Sequence, residues 1–187
     1  MHNPAVFVID MLNDCFGHAE LAIKREVLCR SINELTGFAR AHKMPVVWVR
    51  QEFEPDLSDA FLDQRRENIK MFIKGTPGPQ ILEELIRVDS DHELIKKRYS
   101  MFYGTNIEDL LSELQTDSLV LVGVNTHACV RMAAIDGYQR DYEVVIISEG
   151  VDSKDQRHHE VTLDYLDGGV ATVMSLSEFK EKFKDAV

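Results

Sequence analysis

The chain has 187 residues, 44% of them hydrophobic, which suits one globular domain over residues 1–187. Thirty-two Asp and Glu residues against 21 Lys and Arg residues give a formal net charge of −11, which disfavours nucleic acid and anionic membrane surfaces as partners. No apolar run approaches the roughly 20 residues of a membrane span and no secretory signal begins the chain, so we expect no membrane association and a cytoplasmic location.

Short apolar runs alternate with amphipathic segments along the chain, the pattern of βαβ units. The alternation predicts a mostly parallel sheet with helices on both faces. The predicted strands lie near residues 4–9, 45–50, 92–96, 118–124, 143–148 and 170–174. The predicted helices cover residues 21–42, 79–87, 106–115, 128–140, 155–167 and 177–184, with Pro79 at the first helical position of the second.

Residues 51–75 are the irregular part of the sequence. Acidic and basic residues there are interspersed with Phe53, Phe61 and Phe72. Long connections in compact domains are often functional, so this segment is either a lid over a site or a long surface excursion with a solvated helix. The sequence leaves both interpretations open.

Three reactive residues follow the ends of predicted strands: Asp10, Lys96 and Cys129. Ligands of open parallel sheets bind beyond the carboxyl ends of the strands, so these residues are expected to converge. A carboxylate and an ammonium beside a thiol provide a nucleophile with its base and counter-ion. Taken singly, Asp10 is equally compatible with a cap or turn, Lys96 with a solvated turn, and Cys129 with a buried apolar cysteine.

Cys129 lies at the predicted start of a helix. The positive end of the helix dipole is expected to lower the pKa of its thiol. The first N–H groups of the helix have no partner within the helix and are available to an oxyanion. One short segment is therefore predicted to supply both the nucleophile and an oxyanion hole.

Three segments carry a family resemblance: Val8-Ile9-Asp10-Met11-Leu12-Asn13-Asp14, Lys96-Lys97-Arg98-Tyr99-Ser100-Met101-Phe102 and Gly123-Val124-Asn125-Thr126-His127-Ala128-Cys129-Val130. They resemble the signatures of the isochorismatase-like cysteine hydrolases, which include nicotinamidases, N-carbamoylsarcosine amidase and ureidoacrylate amidohydrolases. The resemblance spans nearly the whole chain. It implies a three-layer α/β/α, Rossmann-like fold with a six-stranded, mostly parallel sheet, and a homo-oligomer, either a dimer or a tetramer.

The resemblance also implies roles for the three residues. Cys129 is the nucleophile, Asp10 is the base that takes its proton, and Lys96 is the cation that holds both. Lys97 then faces outward.

The resemblance further places a cis peptide bond between Val124 and Asn125. This bond is expected to aim the backbone N–H groups of Ala128 and Cys129 at the substrate oxygen. The candidates for the wall of the substrate pocket are Phe16, Gln51, Tyr99, Phe102, Asn125 and His127.

The sequence predicts no metal site and no cofactor. Nicotinamidases of this family carry an Asp-x-His cluster shortly after the second strand, yet this chain has no histidine from residue 43 to residue 91. The run His158-His159-Glu160 is interpreted as a surface helix. Of the other two cysteines, Cys15 is expected near the site because it follows the Asp10 loop, and Cys29 is expected to pack inside the first helix.

The sequence thus predicts a cysteine hydrolase that cleaves an amide-type C–N bond of a small-molecule substrate through a thioester. One alternative is an isochorismatase-type vinyl-ether hydrolase in which Cys129 is incidental. The other is a non-enzymatic, thiol-based binding or sensing protein on the same scaffold. The identity of the substrate is not predicted.

Overall fold

Six parallel strands form one sheet in the computed structural model, which describes residues 1–184. The strands are β1 (Pro4–Ile9), β2 (Val46–Gln51), β3 (His92–Lys96), β4 (Ser118–Val124), β5 (Glu143–Asp152) and β6 (Thr172–Met174). Their order in the sheet is β3-β2-β1-β4-β5-β6, and all five pairings are parallel. Every residue of β1 and β4 is buried, which explains why these central strands read as continuous apolar runs.

Helices cover both faces of this sheet, so the predicted three-layer α/β/α fold is confirmed. Val6 and Val8 of β1 pack in the cluster that contains α2 and α7, and the alternate residues Ala5, Phe7 and Ile9 pack in the cluster with α4, α5 and α6. The helices are α1 (Ala19–Ala22), α2 (Arg25–Ala41), α3 (Leu62–Glu67), α4 (Ile107–Glu113), α5 (Arg131–Tyr138), α6 (Gln156–Leu166) and α7 (Leu176–Lys184). Among residues 1–184, no helix combines the length and apolarity needed to cross a membrane.

The predicted helix over residues 79–87 is wrong, because this segment pairs with the loop after β1. The N–H of Asn13 donates to the carbonyl of Gln80 at 3.0 Å, and the N–H of Leu82 donates to the carbonyl of Met11 at 3.0 Å. Leu12 and Ile81 form an antiparallel bridge. These long-range hydrogen bonds use backbone groups that a helix would need, and they hold the loop that follows Asp10.

Other predicted elements differ from the structure mainly at their ends. The first long helix begins at Arg25, after the separate short α1, and β5 continues to Asp152 instead of ending near residue 148. The predicted helix over 128–140 consists of a wide helical turn over Thr126–Val130 followed by α5. The short helix α3 lies within residues 51–75, where the surface-excursion interpretation included a helix without assigning its bounds.

Gly123 allows the ends of β1 and β4 to approach each other closely. It has a φ of +116°, a left-handed conformation that favours glycine, and a Cβ at this position would collide with the carbonyl oxygen of Ile9. The close approach brings the residues that follow these two strands side by side. Asp10 follows Ile9 directly, so its side chain lies at the base of the crevice beyond the strand ends.

The 51–75 segment folds back on itself beside this crevice. The N–H of Phe53 donates to the carbonyl of Phe72, and the N–H of Lys74 donates to the carbonyl of Phe53. Its buried apolar residues form a separate small cluster consisting of Phe53, Leu57, Ala60 and Ile73. The segment is therefore an ordered wall with its own core.

Candidate active site

The side chains of Asp10, Lys96 and Cys129 meet beyond the strand ends. Lys96 ends β3 and is fully buried, and its Nζ lies 2.7 Å from Oδ2 of Asp10 and 3.4 Å from Sγ of Cys129. Because β2 lies between β1 and β3, the ammonium reaches past the end of β2, where it also donates to Oε1 of Gln51 at 3.2 Å. The sequence-based expectation that these three side chains converge agrees with this geometry.

Burial and charge oppose each other at the ammonium. Burial alone lowers the pKa of Lys96, but the nearby Asp10 carboxylate and Cys129 outweigh it, so the pKa of Lys96 is raised. The lysine is therefore charged at neutral pH. Its positive charge balances the carboxylate of Asp10, since both groups are withdrawn from water.

The pKa of the Cys129 thiol is raised, not lowered as the helix-dipole argument predicted. Burial is the largest cause and the Asp10 carboxylate adds to it, whereas Lys96 acts in the opposite direction. The dipole of a short helical turn is a weak influence compared with the loss of solvation of a fully buried thiolate. The thiol is thus protonated in the resting site.

Two buried polar atoms at this site have no hydrogen-bond partner among residues 1–184. They are Oδ1 of Asp10 and Nε2 of Gln51. An ammonium has no acceptor, so Oε1 of Gln51 must face Lys96 and the NH₂ group must point elsewhere. Asp10 and Gln51 both line the cleft, which therefore contains one unused acceptor and one unused donor.

The turn that carries Cys129 departs from the prediction at Ala128. The peptide bond between Val124 and Asn125 is cis. The N–H of Ala128 donates to the carbonyl of Asn125 at 3.0 Å. It is therefore not available to an oxyanion, contrary to the expectation from sequence. This hydrogen bond closes the first part of the helical turn. The N–H of Asn125 itself has no acceptor within residues 1–184.

The same turn is held by side chains and backbone of α6 and of the connection between β5 and α6. Oγ1 of Thr126 lies 2.9 Å from Nδ1 of His159, and Nδ1 of His127 lies 3.0 Å from Oγ of Ser153. The N–H of Lys154 donates to Oδ1 of Asn125 at 2.9 Å. Interpretation of His158-His159-Glu160 as a plain surface helix missed this contact of His159, whereas His158 is exposed as predicted.

Above the three reactive side chains lies a cleft of about 370 Å³. Four of the six predicted wall residues line it: Gln51, Tyr99, Asn125 and His127. Phe16 and Phe102 do not. Phe16 is buried in the apolar cluster on the α2 side of the sheet, and Phe102 is buried in the opposite cluster, where Arg140 lies over its ring.

Much of the remaining wall comes from residues that the sequence argument did not name as candidates for the wall. The 51–75 segment contributes Phe61, Asp63, Gln64, Ile69, Met71 and Phe72, and the opposite side contributes Lys154. Residues of this segment line the cleft, which favours a role at the site over a plain surface excursion. Cys15 lines the cleft as expected, and burial, Asp10 and Cys129 raise the pKa of its thiol. Cys29 is buried in α2, as predicted.

Lys97 does not reach the thiol and instead holds the wall of the cleft. Its Nζ lies 2.8 Å from a carboxylate oxygen of Asp59 and donates to the carbonyl of Glu52 at 2.6 Å. About a third of its side chain is exposed, so it faces outward only in part. Lys97 thus ties the 51–75 segment to the end of β3.

The residues after β2 do not fit the metal cluster of nicotinamidases. Oε1 of Gln51 accepts from Lys96, and the Glu52 carboxylate is held 3.1 Å from Arg50. No histidine occurs in this stretch. Across the described part of the chain, no group of three or more His, Cys, Asp or Glu side chains is arranged to hold a metal ion.

Comparison with known proteins gives consistent matches over nearly the whole chain. Residues 4–178 match the model of the isochorismatase domain. A protein of Arabidopsis thaliana described as a probable inactive nicotinamidase is 29% identical over 189 residues, covering 96% of each chain. The structure of an isochorismatase family protein from Desulfovibrio vulgaris is 25% identical, with a TM-score of 0.90 over 98% of this chain and 100% of that chain. N-carbamoylsarcosine amidase from Thermoplasma acidophilum is 28% identical, with a TM-score of 0.78 over 92% and 96% of the two chains.

Proposed function

This chain belongs to the isochorismatase family of hydrolases, and on that basis we propose that it cleaves an amide-type C–N bond of a small molecule through a thioester on Cys129. The observation that carries the proposal is the position of the buried Lys96 ammonium, within 2.7 Å of the Asp10 carboxylate and 3.4 Å of the Cys129 sulfur. An acid, a cation and a thiol in one cleft are the groups that nucleophilic acyl transfer requires.

The first step of the proposed reaction is transfer of a proton from Cys129 to Asp10. The raised pKa of the thiol means that the thiolate does not form by losing its proton to water. A proton that moves to the unpartnered Oδ1 of Asp10 leaves a neutral acid, a thiolate and the Lys96 ammonium. The total charge of the three groups is zero before and after the transfer, so the buried site does not have to hold an uncompensated charge.

The thiolate then attacks the substrate carbonyl, and the oxygen of the tetrahedral intermediate becomes negative. We assign the N–H groups of Asn125 and Cys129 as its donors, because the N–H of Ala128 already donates to the carbonyl of Asn125. Collapse of the intermediate breaks the C–N bond, and the leaving nitrogen takes the proton from Asp10. The products of this half-reaction are a Cys129 thioester and ammonia or an amine.

Water completes the reaction. Asp10, again a carboxylate, takes a proton from the water that attacks the thioester, and the proton returns to the departing Cys129 sulfur. The net change is an amide plus water to a carboxylic acid plus ammonia or an amine. The 28% identity with N-carbamoylsarcosine amidase supports a C–N bond as the target.

A screen of primary amides, carbamoyl compounds and ureido acids for ammonia release tests this function. For any substrate found, we expect Cys129→Ala, Asp10→Asn and Lys96→Ala each to remove most of the turnover, with effects that do not add because the three groups act together. Cys29→Ala is the matched control, since that buried thiol lies in α2, and should retain turnover. Acid quenching during turnover should trap an acyl adduct on Cys129 that mass spectrometry detects.

Two outcomes would overturn the proposal. Pyruvate release from a vinyl ether that persists in Cys129→Ala would indicate the ether hydrolase, with the thiol incidental. A Cys129 thiol that is alkylated readily while no compound of the three classes releases ammonia would indicate the binding or sensing protein.

A further inference from the structure

The outer part of the cleft carries two charges of opposite sign on opposite walls. The Asp, Glu, Lys and Arg residues that line the cleft are Asp10, Asp63 and Lys154. Asp10 is balanced by the buried Lys96, which leaves a carboxylate on α3 and an ammonium on the connection between β5 and α6. Neither Asp63 nor Lys154 takes part in an ion pair with any residue from 1 to 184.

We propose that the cleft selects an amino-acid-like zwitterion, with Lys154 as the partner of the substrate carboxylate and Asp63 as the partner of its ammonium group. The amide or ureido group of such a substrate then extends toward Cys129. This inference deepens the proposed hydrolase function and rests on it.

The wall beside Lys154 also offers a neutral donor for a carboxylate oxygen. Oγ of Ser153 accepts the backbone N–H of His127 at 3.3 Å and lies 3.0 Å from Nδ1 of the same ring. We assign the Ser153 hydroxyl as the donor to Nδ1, which leaves the ring proton on Nε2. Burial, His158 and Lys154 lower the pKa of His127, so the ring is neutral at neutral pH, and in this tautomer it donates from Nε2.

The opposite wall has an acceptor in the matching place. Oδ1 of Asp63 accepts the N–H of Gln64 at 2.9 Å, and no described residue donates to its Oδ2. Asp63 also contributes to the raised pKa of Tyr99, after burial and Cys129, which indicates that its charge is felt inside the cleft. A substrate ammonium at this wall would meet a carboxylate that has no competing cation.

Matched sets of compounds separate the two charges. Asparagine, glutamine and citrulline carry both groups; succinamic acid, glutaramic acid and 5-ureidopentanoic acid lack the amine; β-alaninamide, 4-aminobutanamide and 4-ureidobutylamine lack the carboxylate. The expected result is a kcat/KM for the best zwitterion that exceeds those of both of its truncated analogues at least tenfold, since each lost charge leaves an unpaired group in the cleft.

Charge-neutralising variants assign each preference to its wall. Lys154→Gln should raise KM about tenfold for compounds with a carboxylate and leave KM for the amine-only compounds within about twofold. Asp63→Asn should raise KM about tenfold for compounds with an amine and leave KM for the carboxylate-only compounds within about twofold. Lys182→Gln and Asp164→Asn are the matched controls, because both residues are exposed on helices and do not line the cleft.

Binding to the Cys129→Ala variant separates this inference from the proposed function. Calorimetry with that variant measures selection of the zwitterion without turnover. Selective binding with no ammonia release from the active chain refutes the hydrolase and supports the zwitterion site. Ammonia release with equal kcat/KM for the zwitterion and its analogues, or variants that change KM equally for all three sets, refutes the zwitterion site and leaves the hydrolase standing.

Discussion

Replacing Lys96 by methionine removes the cation of the site while keeping an unbranched side chain that is one heavy atom shorter. At 2.7 Å, the attraction between its ammonium and the Asp10 carboxylate is about 6 kcal/mol at an effective dielectric constant of about 20. Desolvation of both ions offsets most of this gain. The variant, however, leaves a buried carboxylate without its partner, which costs about 3–5 kcal/mol of the free energy of unfolding.

A double-mutant cycle tests the origin of that loss. In Lys96→Met combined with Asp10→Asn, neither charge is present, so we expect the double variant to be more stable than Lys96→Met alone, with a coupling energy of about 2–3 kcal/mol. Each single variant should lower kcat by about 10²–10⁴, the range of a positioned acid or base. The double variant should be no slower than the slower single one, because the proton acceptor and its cation act as a unit.

Urea unfolding at neutral pH and ammonia release measure the two quantities. The pKa of Lys96 is raised in the folded chain, so its contribution to stability is complete below its ordinary value of about 10.5 and is lost only as the pH rises through the folded value. The stability difference between the wild type and Lys96→Met should therefore not shrink between about pH 7 and about pH 9.5. A free energy of unfolding of Lys96→Met within about 1 kcal/mol of that of the wild type would refute the reasoning. A double variant less stable than Lys96→Met would refute it as well.

Three further outcomes are expected. Brief substoichiometric treatment with iodoacetamide should modify Cys129 before Cys15 and Cys29, because only Cys129 combines a place in the cleft with the Lys96 ammonium 3.4 Å from its sulfur, which stabilises the thiolate. Because the pKa of Cys129 is raised, its alkylation rate should keep rising to about pH 9, and a plateau near neutrality would contradict the buried thiol. Lys97→Ala should raise KM several-fold with little change in kcat, since the ion pair of Lys97 with Asp59 holds the 51–75 segment, other residues of which line the cleft. An unchanged KM would show that this contact does not shape the cleft. Exhaustive chelation should leave activity intact, and activity restored by one divalent ion would show that the protein uses a metal.

The placement of the reactive residues was predictable because buried parallel strands have a simple sequence pattern. The run of β1 from Ala5 to Ile9 has no polar residue, so its end at Asp10 is visible. The end of β4 at Val124 is visible in the same way, whereas β3 offers only the apolar pair Leu94 and Ile95 before Lys96. Convergence of the three ends follows from the parallel sheet.

Contacts distant in sequence decided what the pattern could not predict. Residues 79–87 carry the local signals of a helix start, yet Gln80 and Leu82 hydrogen-bond to the loop after β1 instead. Phe102 follows the Lys96 strand closely in sequence, but its ring packs under Arg140 in the core on the α5 side. Neither the pairing nor the direction of the ring has a local signature, because both depend on which segments the fold brings alongside.

The protonation of Cys129 shows how such tertiary contacts also reverse a chemical expectation. From sequence, the expected pKa of the thiol rested on a helix that was predicted to start near Cys129, and a helix start favours the thiolate. In the folded chain, burial and the Asp10 carboxylate favour the thiol more strongly than Lys96 favours the thiolate. In the proposed reaction, nucleophilic attack then depends on the unpartnered oxygen of Asp10, because only a proton acceptor inside the site can form a thiolate without leaving net charge in the core.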